Sequence, residues 1–273
     1  MCDIKAIALD LDGTLVGDNH YVSENNRRAI WHAAQKGVTI LLTSGRPYAS
    51  VRKIAEEIGL SELGGYMVSY NGAHVTDAKT GQILFLKTVP QGTLKRLEAL
   101  LGEWKQAELF AYNDSSMLLT AKDHPYGSKI AEGLRLPIEV LPDFSAAHQK
   151  EFCKFVVAGE RALLREIYGQ LKITFSKDVC CIYGGGNFIE IMPTGVTKAT
   201  GTAAVLQKCG IVPKQLMCCG DSENDLAMMQ YAGRPVAMGN ATADVKAYAR
   251  YTTGRYDEDG VAQAIYHITG LPS

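Results

Sequence analysis

Short apolar runs that stop at polar clusters recur along this chain, alternating with stretches whose apolar positions fall three and four apart. The first run, Ile4-Lys5-Ala6-Ile7-Ala8-Leu9, ends at Asp10-Leu11-Asp12-Gly13-Thr14. A run this short predicts a strand buried in a parallel sheet. After a loop from Val16 to Val22, Ser23 is placed to cap a helix reaching Lys36. Ala29, Ile30, Ala33 and Ala34 form its buried face and Gly37 its stop. Val38 to Leu42 predicts a second buried strand, which makes a βαβ unit and hence a parallel pair. Pro47 then opens a helix with Val51, Ile54, Ala55 and Ile58 toward the core.

The pattern changes after a third strand, Tyr66 to Tyr70. Asn71-Gly72 reads as a tight hairpin turn into Ala73-His74-Val75, and a second turn, Asp77 to Gly81, precedes Ile83 to Leu86. From about Val89 to Asn187 strands and helices continue without a phosphate or metal motif. Helices are predicted near Gln91 to Lys105 and Arg161 to Gln170. Strands are predicted near Leu109 to Tyr112, Met117 to Ala121, Phe152 to Ala158, Ile173 to Ser176 and Val179 to Tyr183. Gly184-Gly185-Gly186-Asn187 lacks a Walker lysine and opens no helix, so a hairpin turn is expected there. These signals divide the chain into a first core segment, 1–86, an inserted α/β domain, 87–188, and a second core segment, 189–273. Phe188 to Pro193 is expected to carry the chain back to the core. A helix Ala199 to Lys208, a strand Leu216 to Cys219, a helix Leu226 to Tyr231, a strand Pro235 to Met238 and a closing helix from Val261 complete it.

Three of the strand ends carry chemistry. Ligands of open α/β sheets bind beyond the carboxyl ends of the strands, which puts Asp10 and Asp12 at an active-site edge. Alternate side chains leaving a strand point the same way, so both carboxylates can face one reacting centre. With Mg²⁺ between them they read as nucleophile and acid/base partner in phosphoryl transfer. The plain alternative is a solvated turn after an edge strand.

The second strand ends in Thr43-Ser44-Gly45-Arg46-Pro47. A hydroxyl and backbone N–H groups at a helix start, those of Ser44 and Gly45 included, make a phosphate seat. Arg46 is placed to reach a substrate's anionic or hydroxyl groups. The competing reading is an N-cap at a strand–helix junction. Lys198 opens a helix, where a positive charge opposes the dipole unless anions lie beside it. The later strand ends in Gly220-Asp221-Ser222-Glu223-Asn224-Asp225. Asp221 is a candidate Mg²⁺ ligand, Asn224 a candidate phosphate contact, and Asp225 a residue to hold Asp221 or Lys198 in place. An acidic N-cap run is the alternative there.

Taken together, Asp10 to Thr14, Thr43 to Ala49, Tyr70 to Ala73, Val196-Thr197-Lys198, Gly220 to Asp225, Val236 to Ala241 and Glu258 to Val261 resemble the motifs of the Cof-type (subclass IIB) phosphatases of the haloacid dehalogenase superfamily. The resemblance implies a Rossmann-like core with a parallel sheet and an inserted α/β cap domain of type C2B. It implies a Mg²⁺-dependent phosphatase acting on small phosphate monoesters, sugar phosphates above all, through an aspartyl-phosphate. On that pattern Asp10 is the nucleophile and Asp12 the acid/base. Asp10, Asp12 (through its carbonyl) and Asp221 hold Mg²⁺, and Ser44, Gly45, Arg46, Lys198 and Asn224 contact phosphate or substrate. The family usually has Gly after the motif lysine, where this chain has Ala199. A phosphomutase on the same scaffold, or a non-catalytic sugar-phosphate or flavin-nucleotide sensor, are the competing functions.

Composition narrows the class. The 273 residues are 47% hydrophobic, with no apolar run near 18 residues, as expected of a globular chain outside the membrane. The formal charge is −1 and the basic residues are scattered, which argues against nucleic acid or an anionic membrane as partner. The first strand follows Met1-Cys2-Asp3 directly, so no signal segment is expected and the cytoplasm is the expected compartment. Seven cysteines without C-x-x-C spacing suggest neither a disulfide framework nor zinc. In the inserted segment Tyr112, His124, Tyr126 and Tyr183 are conceivable substrate contacts, though packing explains each more simply.

Overall fold

The computed structural model describes residues 4–18, 20–120, 125–184 and 186–270. Along these, fourteen strands run in order: β1 Ala6–Asp10, β2 Thr39–Thr43, β3 Tyr66–Ser69, β4 His74–Asp77, β5 Ile83–Leu86, β6 Glu108–Tyr112, β7 Met117–Leu119, β8 Ile138–Val140, β9 Phe155–Ala158, β10 Val179–Ile182, β11 Phe188–Pro193, β12 Leu216–Gly220, β13 Arg234–Ala237 and β14 Tyr251–Thr252. The chain divides into two compact units. One holds the residues up to Leu86 together with those from Thr197 onward, and the other spans Lys87–Val196.

In the first unit the strand order is β14-β13-β12-β1-β2-β3-β4-β5. The pairs from β14 to β3 are parallel, and β4 and β5 are added antiparallel at the edge. β1 lies between β12 and β2, and all five of its residues are buried. That position removes the reading of Asp10 and Asp12 as a turn after an edge strand. The helix Glu24–Gln35 turns Ala29, Ile30 and Ala33 inward, and Ser23 caps it by accepting the Asn26 N–H at 3.1 Å. The helix Gly260–Thr269 packs against it. The apolar strand interiors, Ile7, Leu9, Ile40, Leu42, Met217 and Cys219 among them, sit in one continuous core.

The second unit has a six-stranded sheet ordered β10-β11-β9-β6-β7-β8, antiparallel except for β7–β8. Leu109, Ala111, Phe155, Val157, Ile189 and Ile191 alternate along the strands, so they share one face. That face packs with Leu94, Leu97 and Leu101 of the helix Thr93–Leu101 and with Leu164, Ile167 and Leu171 of the helix Arg161–Thr174.

Two sequence expectations are corrected here. Ile173 to Ser176 is not a strand: the helix from Arg161 continues through Thr174, because Leu164, Ile167, Leu171 and Phe175 keep helical spacing while Ile173 stays exposed. The second core segment does not resume at residue 189 either. Phe188–Pro193 pairs with β9 on one side and β10 on the other, so its backbone hydrogen bonds belong to the inserted unit. Ala121, His124 and Gly185 fall outside the described residues. Among the described residues no helix is long and apolar enough to cross a membrane.

Candidate active site

Parallel pairing brings three strand ends together in the first unit. Asp10 is opposite Thr43 in register, and Leu9 is opposite Cys219. The segments beginning at Asp10, Ser44 and Asp221 therefore leave the sheet side by side at its carboxyl edge. The helix Lys198–Cys209 supplies a fourth element. Thr197 caps it, and Lys198, its first residue, is 1% exposed.

Lys198 Nζ donates to Asp10 Oδ1 at 2.6 Å and to Asp225 Oδ1 at 2.7 Å. The other oxygen of Asp225 accepts the main-chain N–H groups of Asp221 at 3.0 Å and Ser222 at 3.2 Å. Asp225 thus ties the lysine to the loop that carries Asp221. Thr14 Oγ1 donates to Asp221 at 2.9 Å, and Asn240 Nδ2 donates to the Gly13 carbonyl at 2.8 Å. Both loops are crowded. Gly13 has φ +75°, and a Cβ there would approach Asp221 Oδ2 to 2.7 Å. Only glycine meets both demands at low cost.

One oxygen from each of Asp10, Asp221 and Asp225 lies within 4.8 Å of the others. Burial first, then the neighbouring Asp225 and Asp221, push the Asp10 carboxyl well above the usual carboxylate range, against the pull of Lys198. Burial and Asp225 push Asp221 up as well. Burial alone would lower Lys198, but Asp10 and Asp225 outweigh it and hold the ammonium charged. An all-oxygen donor set with excess negative charge suits a hard divalent cation. Asp225 has both oxygens engaged already, which leaves Asp10 and Asp221 as the side chains fitted to hold one.

Asp12 is over half exposed, and both its oxygens accept from Arg46, Nε at 2.8 Å and Nη2. Arg46 is buried and also reaches Ser50 Oγ at 3.2 Å and His20 Nδ1 at 3.2 Å. Its guanidinium is thus spent on the protein's own groups. Ser44 is not an N-cap, since Pro47 caps the helix Tyr48–Glu57. Nor are the amides of the Ser44 loop all free, as the sequence suggested. Ser44 N–H donates to the Val68 carbonyl at 2.8 Å, and Arg46 N–H donates to Ser44 Oγ at 3.1 Å. The Ser44 hydroxyl hydrogen has no acceptor among the described residues. Asn224 Nδ2 donates to Asn71 Oδ1 at 3.1 Å, and Asn224 Oδ1 accepts from Ser222 at 2.9 Å.

Residues 7–265 match the model of a family described as haloacid dehalogenase-like hydrolase. The chain belongs to that family. Among its haloacid dehalogenase-like relatives is the 5-amino-6-(5-phospho-D-ribitylamino)uracil phosphatase YcsE of Bacillus subtilis, 30% identical, with 97% of this chain and 96% of the relative covered. The HMP-PP phosphatase of Cronobacter sakazakii is 29% identical over 97% and 96% of the two chains. A haloacid dehalogenase-like hydrolase from Bacteroides thetaiotaomicron has the same fold, with TM-score 0.94 and 29% identity over 97% of this chain and 100% of that one. Sequence reasoning missed Thr14, Asn71 and Asn240 as parts of the site. All three nevertheless lie in stretches that carry the resemblance, and Asn71 left a further signal, since Asn before Gly tolerates positive φ.

Proposed function

We propose that this hydrolase is a Mg²⁺-dependent phosphatase of small phosphate monoesters, sugar phosphates first among them, and that Asp10 carries the phosphoryl group between the two half-reactions. The observation that carries the reading is the set of buried Asp10 and Lys198 with half-buried Asp221 at the carboxyl end of the central strand. Two relatives named as phosphatases support the class, and the phosphorylated ribityl group in the name of one supports the sugar-phosphate substrate.

Asp10 attacks phosphorus, its Oδ–P bond forming as the ester P–O bond breaks. Asp12 gives a proton to the leaving alkoxide, then takes one from the water that releases inorganic phosphate and frees Asp10. Both Asp12 oxygens accept from Arg46 in this structure, so one of those bonds opens for the proton to be held there. A carboxylate approaching a phosphate meets repulsion of about 4 kcal/mol per charge pair at 4 Å and an effective dielectric of 20. Lys198 offsets part of it. Asp10, Asp221 and the main chain at Asp12 would hold Mg²⁺, which would supply further positive charge there. The Ser44 hydroxyl and the second N–H of Asn224 orient phosphoryl oxygens.

The test is phosphate release from a panel of sugar phosphates, pyridoxal phosphate, flavin mononucleotide and an aryl phosphate, with Mg²⁺ and with chelator. Mg²⁺-dependent release that Asp10→Asn removes is the expected result. Phosphoryl transferred to another hydroxyl would instead make the protein a mutase, and no turnover of any ester would make it a sensor.

A further inference from the structure

The turn Tyr70–Gly72 does more than reverse the chain between β3 and β4. Tyr70 and Asn71 both have φ +51°, outside the conformation L-residues prefer. The strained pair is held by bonds to the phosphate-side loops. Tyr70 N–H donates to the Arg46 carbonyl at 2.9 Å, and Asn71 N–H donates to the Ser44 carbonyl at 2.8 Å. A Cβ on Gly45 would come within 3.0 Å of Asn71 Oδ1, so the two loops touch. On the other side Gly72, at φ +98°, lies so close to the helix that carries Lys198 that a Cβ would be 2.1 Å from the Thr197 carbonyl oxygen.

Asn71 Oδ1 then accepts from Asn224 Nδ2 at 3.1 Å, while Ser222 Oγ donates to Asn224 Oδ1 at 2.9 Å. An amide held at both ends cannot flip. Its oxygen is engaged by Ser222 and one N–H by Asn71, and the remaining N–H of Asn224 has no acceptor among the described residues. A side chain in a hairpin turn thus joins Ser222 in fixing which way Asn224 presents its donor.

We propose that Asn71 is a positioning residue of the phosphoryl site, acting through Asn224 while its backbone fixes the Ser44 loop. The proposal rests on the phosphatase reading and adds to it a residue other than the nucleophile and the acid/base. It also assigns the positive φ at Asn71 a purpose, since strain of this kind persists where the surroundings hold it for a site.

A double-mutant cycle on the full chain tests it. Asn71→Gly keeps the backbone conformation, which glycine adopts freely, and removes only the amide. Asn71→Gly and Asn224→Ala should each lower kcat/KM about tenfold to a hundredfold with Mg²⁺ and an aryl phosphate, with the melting temperature of Asn71→Gly near that of wild type. The double variant should be no worse than the weaker single one, because both remove the same interaction. Losses that multiply, or an Asn71→Gly enzyme with wild-type kcat/KM, would overturn the proposal. If glycine lowers the melting temperature, Asn71→Asp keeps the acceptor oxygen and tolerates the same φ. It must then restore the melting temperature and make Asn224→Ala costly again. Were the wild type inactive on every ester, the phosphatase reading would fail separately. The same cycle, read as the affinity for inorganic phosphate with Mg²⁺, would still decide the role of Asn71.

Discussion

Lys198 donates to Asp10 at 2.6 Å across 188 positions of sequence, and its other carboxylate partner, Asp225, is fully buried. Among the described residues it is the cation paired with both. Lys198→Met therefore leaves Asp225 buried without its counter-charge, and breaking such a pair costs about 3–5 kcal/mol. Urea unfolding at pH 8 without Mg²⁺ should show that loss, and phosphate release should fall with it. An unchanged unfolding midpoint would mean that the pair contributes nothing to the fold.

Asp10→Asn should stop turnover and yet raise the melting temperature of the metal-free protein. The net effect of burial, Asp225 and Asp221 on Asp10 is to disfavour its charge, even with Lys198 beside it. An amide of the same shape removes that penalty, and each kcal/mol gained shifts the midpoint by about 2–4 °C in a chain of this size. A variant that loses both activity and several degrees would argue that Asp10 is held chiefly as a structural anion.

The same upward shifts fix the pH dependence. Asp10 and Asp221 keep protons in the fold at pH values where the unfolded chain, with carboxylates near about 4, has lost them. The folded state then binds more protons, so metal-free stability falls as pH rises from about 4 through the raised folded values, and levels off above them. If Mg²⁺ takes the proposed site it would bind the ionised carboxylates, and its stabilising effect should grow over the same window. Melting curves with Mg²⁺ and with chelator at pH 5 and pH 8 check the sign. A larger Mg²⁺ effect at pH 5 would place the cation elsewhere.

Asp12→Asn should hurt hydrolysis of sugar phosphates far more than that of an activated aryl phosphate, whose leaving group departs without a proton. The measurement is the ratio of kcat/KM for the two esters in wild type and variant. Equal losses would show that Asp12 does not serve the leaving group.

Gly72→Ala probes the backbone contact beside Lys198. The added methyl would meet the Thr197 carbonyl at 2.1 Å in a conformation alanine resists. The helix start must then move, and kcat should fall at least about tenfold, since misplacement by about 1 Å can cost a hundredfold. Wild-type kcat would mean that Lys198 tolerates displacement.

Much of this was legible in the chain. The apolar runs that became β1, β2, β3 and β12 are continuous because parallel strands are covered on both faces, and their polar ends mark the edge where Asp10, Ser44 and Asp221 emerge. Where periodicity served two structures the reading slipped. Ile173 to Ser176 looks like a strand, but Leu171 and Phe175 bind the segment to a helical face. Phe188 to Pro193 has the pattern of a core strand in either unit, and only its pairing with β9 and β10 assigns it.

The sequence by itself determined most of the elements around the site, their order and the polar residues set at strand ends, because local periodicity and turn chemistry act over a few residues. It did not determine who pairs with whom. That Arg46 turns to Asp12, that Asp225 binds Lys198 and the Asp221 loop together, and that Asn71 accepts from Asn224 are decisions of the tertiary structure. They depend on buried groups finding partners at about 3 Å across long stretches of chain, and hydrogen bonds at that range form only once the strands fix the separation.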